Sequence, residues 1–495
     1  MQPSILASFI YIIAFLSLAG GIYAVRKTDG RLYSVTWIPI SIIAAMCYQA
    51  LISAMLNLAH IPVNILSVGI MDIFMSVFLW SKILGNSKIQ KYRFEIIDGI
   101  MLACLFCVVC AFMVKRYGVE LTMSYSSVDG ASHLYSAMQV VFSQSLDAMF
   151  YSSLHNALLI EVISPLLTTG TYYKAYVLGD ILHLLLAGLM FWGTIRKYSV
   201  DRYMKIAGVL VTIFYLLGYP ANSTIFGFSY LGMSLTVILC IIAITNEYID
   251  KNIDVKMMLL LLMTGCFAVF ESYMLFVPII YFGILIWLFI NQNISKKLIS
   301  VNTIIKGLII FLVPTGLGLW YAYRGVFGQS DGLTVGKQIS LEGGIYRNLF
   351  TNFLIIVPFA IAGVWYLIKK RINNVLIYFI SLEVVFTFIL FVLALDKRVS
   401  GYYYYKNYFL LWLILFVTAY IGLGTLEKQG RIIVCSGTLV FVILTMMYVQ
   451  KIDVRIQNKN ELLYGNATIR PSMDVYATNY DFMCLPRYSE GKLEL

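Results

Sequence analysis

Two acids and a histidine are the residues best suited by type and spacing to do chemistry. Asp129 and His133 stand four apart in Asp129-Gly130-Ala131-Ser132-His133-Leu134. On a helix that spacing puts them on one face. A carboxylate beside an imidazole is a general-base or metal-ligand arrangement. Asp129 serves equally well as an N-cap, where the helix dipole keeps it ionised. Glu271, in Phe270-Glu271-Ser272-Tyr273, is a second acid, at the tip of a hairpin between two apolar runs. Asp129 and Glu271 together are candidate ligands for a divalent cation, Mg or Mn, held against a phosphate. A solvated hairpin tip is the other reading of Glu271.

Cations supply the complementary half. The run Asp396-Lys397-Arg398-Val399-Ser400-Gly401-Tyr402-Tyr403-Tyr404-Tyr405-Lys406 is basic and aromatic. Arg398 and Lys406 suit phosphate, as a planar fork and as a point charge. Tyr402 and Tyr404 suit sugar rings, or equally a belt of aromatics at the lipid headgroups. Arg324, in Tyr321-Ala322-Tyr323-Arg324, is a third cation. The Gly-rich stretch 325–347 that follows it fits a mobile lid or a plain linker.

The elements that must position these residues are set by composition. Of 495 residues, 60% are hydrophobic and only 12% charged; soluble chains carry roughly 25% charged. Mean hydropathy is +0.83. Too little polar side chain remains to cover a water-facing surface, so the solvent is a bilayer. A soluble enzyme and a disordered or disulfide-stapled chain are excluded. The net charge of +11 does not imply a nucleic-acid partner, because Lys and Arg gather in short loops between apolar runs. Seven of the eight cysteines lie inside apolar runs, so no disulfide framework follows. Cys104, Cys107 and Cys110 have no His or acid beside them and read as packing.

A crossing helix needs about 20 apolar residues. Fourteen candidate spans follow: 5–25, 37–58, 63–84, 96–114, 172–195, 205–219, 229–247, 257–271, 274–291, 304–322, 349–368, 375–395, 408–425 and 431–449. The predicted fold is all-α and polytopic. Span one has no basic residues before it and is not a cleavable signal. Alternate loops hold basic groups such as Arg26-Lys27-Arg31, Arg196-Lys197 and Lys369-Lys370-Arg371, whereas 59–62, 220–228 and 272–273 hold none. The basic set is expected in the cytoplasm. The N-terminus, the loop 115–171, the segment 396–407 and the tail 450–495 are then expected to face outward. All the candidate chemistry falls on that side. No Walker loop or Gly-rich nucleotide fingerprint is present.

The loop 115–171 is too long for a connector. Leu134, Met138 and Val141, then Leu146, Met149, Phe150 and Leu154, recur near helical spacing. An amphipathic helix lying in the interface plane is expected. A second apolar stretch, 157–167, is too short to cross. Asp129-Gly130-Ala131-Ser132-His133-Leu134 on this first large outer loop resembles the GT-C class of integral-membrane glycosyltransferases. The resemblance spans the chain from the fourth span to about the thirteenth. It implies transfer of a sugar from a polyprenyl-phosphate carrier to a cell-envelope glycan or lipid outside the membrane. It gives Asp129 the reaction centre, with His133 beside it. That class carries its acidic loop after the first span, and here three spans come first. Residues 1–95 are therefore expected as an accessory bundle, 96–449 as the catalytic module, and 450–495 as an outward tail.

Charged groups within spans are costly and face protein interiors. Asp98 reads as a snorkelling boundary residue, and Asp180 and His183 as a structural pair. Asp72 and Glu383 have no partner visible in the sequence. Two other functions stay open: a flippase or transporter of lipid-linked oligosaccharide, and a polysaccharide polymerase or ligase. No half-repeat supports the transporter, and outer arginines are scattered rather than clustered as a polymerase or ligase would have them.

Overall fold

The computed structural model describes residues 4–25, 34–84, 95–117, 128–146, 154–167, 171–199, 201–217, 220–224, 228–293, 301–323, 350–370, 372, 374–396, 398–399 and 401–434, with 436, 437 and 440. All regular structure among them is helical. In chain order the helices are α1 (Ile5–Ala24), α2 (Ser34–Leu58), α3 (Ile65–Leu84), α4 (Ile96–Tyr117), α5 (Val128–Ser143), α6 (Leu154–Ile163), α7 (Thr171–Arg196) and α8 (Arg202–Leu217). Then come α9 (Ala221–Thr224), α10 (Ser229–Ile249), α11 (Val255–Ser272), α12 (Val277–Asn293), α13 (Val301–Ala322), α14 (Phe350–Lys369), α15 (Val375–Leu395) and α16 (Gly401–Leu423).

Ten of the described helices are long and apolar enough to cross a bilayer. Apolar helices are the form such segments take, because lipid satisfies no backbone hydrogen bonds. The chain is an all-α, multi-pass membrane protein. Each predicted span from 5–25 to 408–425 falls on a helix, although α8, α12 and the apolar part of α14 are shorter than the ten. Span 431–449 and the tail 450–495 lie wholly or largely outside the described residues.

Polar residues start several helices where the pattern turns apolar. Ser4 caps α1, accepting from Ala7 N at 3.1 Å. Asp254 caps α11 through Met257 N at 2.8 Å, and Asn374 caps α15 through Leu376 N at 3.0 Å. These side chains satisfy amides that the first helical turn leaves open.

α10 is apolar all round and buried all round, which places it at the centre. It packs against α2, α7 and α11. Phe74, Leu312, Trp365 and Phe388 stand exposed on α3, α13, α14 and α15 and form lipid-facing surface. α14 and α16 meet backbone to backbone at Gly363 and Gly422. A Cβ at either would run into the carbonyl of Thr418 or Phe359, which is how small residues let membrane helices approach closely. α2 packs against α7, α10 and α11 as well as α1, so the first three helices share one core with the rest.

The expected amphipathic helix is present as α5 and ends earlier than its apolar spacing implies. Leu134, Met138 and Val141 are buried along α5. The helix ends at Ser143 because Gln144 takes a left-handed φ of 52°. Its carbonyl accepts from Val63 N at 2.7 Å, and its side chain accepts from Asn64 Nδ2 at 3.2 Å. Asn57 Oδ1 then accepts from Leu146 N at 2.8 Å. These bonds fasten the end of α5 to the α2–α3 turn. α6 is fastened likewise: Glu161 accepts from Ile65 N at 2.8 Å, and Asn156 donates to Ser229 Oγ at 3.0 Å.

Candidate functional site

Docking α5 and α6 in this way brings His133 to the end of the bundle where α10 and α16 begin and α11 finishes. Phe228 and Tyr230 flank the start of α10. Glu271 and Tyr273 close α11. The His133 ring lies 4.7 Å from the Tyr230 ring, centroid to centroid. Tyr230 lies 6.0 Å from Phe228 and 6.0 Å from Tyr273, and Tyr273 lies 4.9 Å from Phe276. The result is one continuous aromatic wall.

Lys406 completes it. The sequence pattern puts this lysine on a loop before a span starting at 408. The helix instead begins at Gly401, and Lys406 lies inside its second turn, 2% exposed. Its ammonium sits 3.5 Å over the Phe228 ring and 5.3 Å from the Phe409 ring. Aromatic faces attract a cation that has left water. Burial, and then the charge of Lys406, lower the His133 pKa to about 4. His133 is therefore a neutral imidazole at pH 7.

The remaining sequence candidates distribute as follows. Asp129 is in the first turn of α5, one turn before His133; its side chain lies outside the described residues. Glu271 lies in the last turn of α11, two residues before Tyr273, and within electrostatic reach of Cys47. Tyr404 is in the first turns of α16, its hydroxyl 2.5 Å from that of Tyr408 and its ring 5.7 Å from Phe391. Tyr402 precedes it on the helix, with its side chain outside the described residues. Arg398 is exposed on the turn before α16, 3.8 Å from Asp396. Arg324 lies outside the described residues. The structure thus brings His133, Glu271 and Lys406 to one end and leaves Arg398 on the surface. Sequence reading missed Phe228, Tyr230, Tyr273 and Phe409. The signal was there, since each sits within a few residues of a span end, but aromatics are common at such positions.

The expected Asp129–Glu271 pair for a divalent cation is not brought into view, because the Asp129 side chain lies outside the described residues. Among the described residues no three His, Cys, Asp or Glu side chains cluster, and Glu271 by itself is no metal site.

The opposite end corrects the reading of Asp98. It does not snorkel. Asp98 is fully buried and accepts from Arg196 Nε at 3.1 Å and Trp192 Nε1 at 3.2 Å. Arg196 also meets Glu95 at 2.9 Å, and Lys205 meets Glu95 at 2.5 Å. Arg431 pairs with Asp201, and Tyr198 accepts from Asn374. The expected Asp180–His183 hydrogen bond is not made: neither His183 ring nitrogen has a hydrogen-bond partner among the described residues. Both side chains are buried.

The fold and the site together define a class: a multi-pass helical membrane protein with a buried cation in an aromatic wall at one end. Comparison with known proteins goes no further, because no family model, no curated protein and no solved structure matches the chain.

Proposed function

We propose that this chain is a membrane glycosyltransferase that moves a sugar from a polyprenyl-phosphate carrier to a cell-envelope glycan or lipid on the outer face of the cell membrane. The observation that carries this reading is Lys406, buried on Phe228 and Phe409 beside a neutral imidazole. A cation held at the end of an apolar bundle suits a phosphate whose tail stays in lipid. Tyrosine rings in the same wall suit a sugar face.

In the proposed reaction the acceptor hydroxyl loses its proton to Asp129. Its oxygen forms the new bond to the anomeric carbon, and the bond from that carbon to the carrier phosphate oxygen breaks. The electron pair leaves on the phosphate, and Lys406 holds the added charge. A pKa near 4 makes His133 a weak base, so its part is to orient a hydroxyl while Asp129 takes the proton. Glu271 accepts hydrogen bonds from sugar hydroxyls in this reading.

The test is transfer in proteoliposomes loaded with a radiolabelled polyprenyl-phosphate sugar and a glycan acceptor. Wild type releases free carrier phosphate as label enters the acceptor; Asp129→Asn and Lys406→Met abolish both. Equal turnover in the variants would sink the assignment. A lipid-linked oligosaccharide transporter is the second reading, favoured by the acids Asp72 and Glu383 buried at membrane depth. It predicts that the carrier changes leaflet with its sugar still attached.

A further inference from the structure

Those two buried acids have no part in the reaction above. Each accepts a 2.6 Å hydrogen bond from a carboxamide on the next helix: Asp72 Oδ2 from Gln49, and Glu383 Oε1 from Asn407. The Glu383 cluster carries more information. Asn407 Nδ2 also donates to Thr387 Oγ1 at 2.8 Å, and Thr387 Oγ1 donates to Glu383 Oε1 at 3.4 Å. Glu383 and Asn407 are both 0% exposed. Two atoms of this cluster, Glu383 Oε2 and Asn407 Oδ1, have no hydrogen-bond partner among the described residues. No described cation forms an ion pair with Glu383; Thr387 of its own helix and Asn407 of α16 are the polar groups facing it.

If Glu383 were ionised, both orphan atoms would be buried acceptors and a carboxylate would lie uncompensated among apolar helices. A single proton removes both difficulties. Carboxyl and carboxamide are planar forks of matching shape. With Oε1 already bonded to Nδ2, the other arms are Oε2 and Oδ1. A proton on Oε2 turns it into a donor whose natural acceptor is Asn407 Oδ1, and the acid–amide ring closes.

We propose that Glu383 is a neutral carboxylic acid, proton-bridged to Asn407, and that this pair is the positioning element for Lys406, the next residue on α16. The positioning half rests on reading Lys406 as the carrier-phosphate group; the protonation half does not. Fixing Asn407 against α15 fixes the rotation of α16, and hence the direction in which Lys406 leaves the helix toward Phe228. Glu383 acts through Lys406 and touches no substrate.

The experiment uses the full chain in lipid nanodiscs at neutral pH, with farnesyl phosphate as the binding probe. Infrared spectra of wild type should show a carboxylic-acid carbonyl band, shifted in D2O, that Glu383→Gln removes. Glutamine reproduces both arms of the ring without a proton, so E383Q should bind the probe as wild type does. Glu383→Leu should weaken it about tenfold; should E383L fail to fold, Asn407→Ala takes its place. A carboxylic-acid carbonyl region left unchanged in E383Q overturns the proposal, since Glu383 is then a carboxylate. Weak binding by E383Q, equal to that of E383L, overturns the positioning half. Undiminished binding by Lys406→Met would instead refute the phosphate reading, and the infrared result would still decide the state of Glu383.

Discussion

The two ends of this bundle hold charge in opposite ways. At the Arg196 end a buried guanidinium meets two carboxylates, Asp98 and Glu95, and Lys205, Asp201 and Arg431 extend the pattern. Arg196, Lys205 and Arg431 each find an anion from a distant segment of the chain. At the His133 end the buried ammonium of Lys406 lies over the rings of Phe228 and Phe409. A ring quadrupole holds a cation without neutralising it. The first arrangement ties helices together. The second sets a buried ammonium against aromatic rings, and burial first and then that charge lower the His133 pKa. One end is a clasp, and the other is suited to an anion from outside the chain.

The largest expected effect is at the clasp. Arg196→Ala leaves Asp98 buried without its cation, a change that costs about 3–5 kcal/mol of stability. Thermal unfolding in detergent, followed by tryptophan fluorescence, measures it. A loss below about 1 kcal/mol, the range of an exposed pair, would erase the contrast between the ends. Lys406→Met should behave in the reverse sense. Its stability should stay within about 2 kcal/mol of wild type, the upper range of a desolvated cation–π contact. Farnesyl phosphate binding should fall at least about tenfold, since a hydrogen bond to a charged group contributes about 1.5–3 kcal/mol. A variant that loses more stability than this yet binds farnesyl phosphate as wild type does would make Lys406 a structural residue.

The helices were legible in the sequence because apolar length is a local property, and local runs need no partner to be recognised. The register of α5 was legible for the same reason: Leu134, Met138 and Val141 repeat at helical spacing and all are buried. Its end was not, because Gln144 is turned by bonds to Val63 and Asn64, far away in the chain. Asp98 was misread on similar grounds. Its partner Arg196 comes from a different span, and only the packing of α4 on α7 makes them neighbours. At the candidate site, His133, Glu271 and Lys406 stood out by charge in an apolar chain. Phe228 and Tyr230 did not, because nothing in their type separates a site wall from an interfacial belt.

The smallest expected effect bears on why His133 stays neutral. Its pKa is lowered from 6.5 to about 4, first by burial and then by Lys406. Between those values the unfolded chain binds a proton that the folded chain does not. This group's contribution is therefore fully present above about 6.5 and is lost as pH falls toward 4. Glu161, on α6, works in the opposite sense. Burial raises its pKa to about 7 against the single hydrogen bond from Ile65, so its contribution is present in acid and is lost as pH rises toward 7. The two slopes oppose each other, and the wild-type profile alone does not separate them. The difference between wild type and His133→Asn does, since Glu161 is common to both. That difference should shrink as the pH of the melt is lowered, and Lys406→Met should soften it by removing the nearby charge. A difference independent of pH would mean that His133 is not held neutral, and the polarity of this end would need another source.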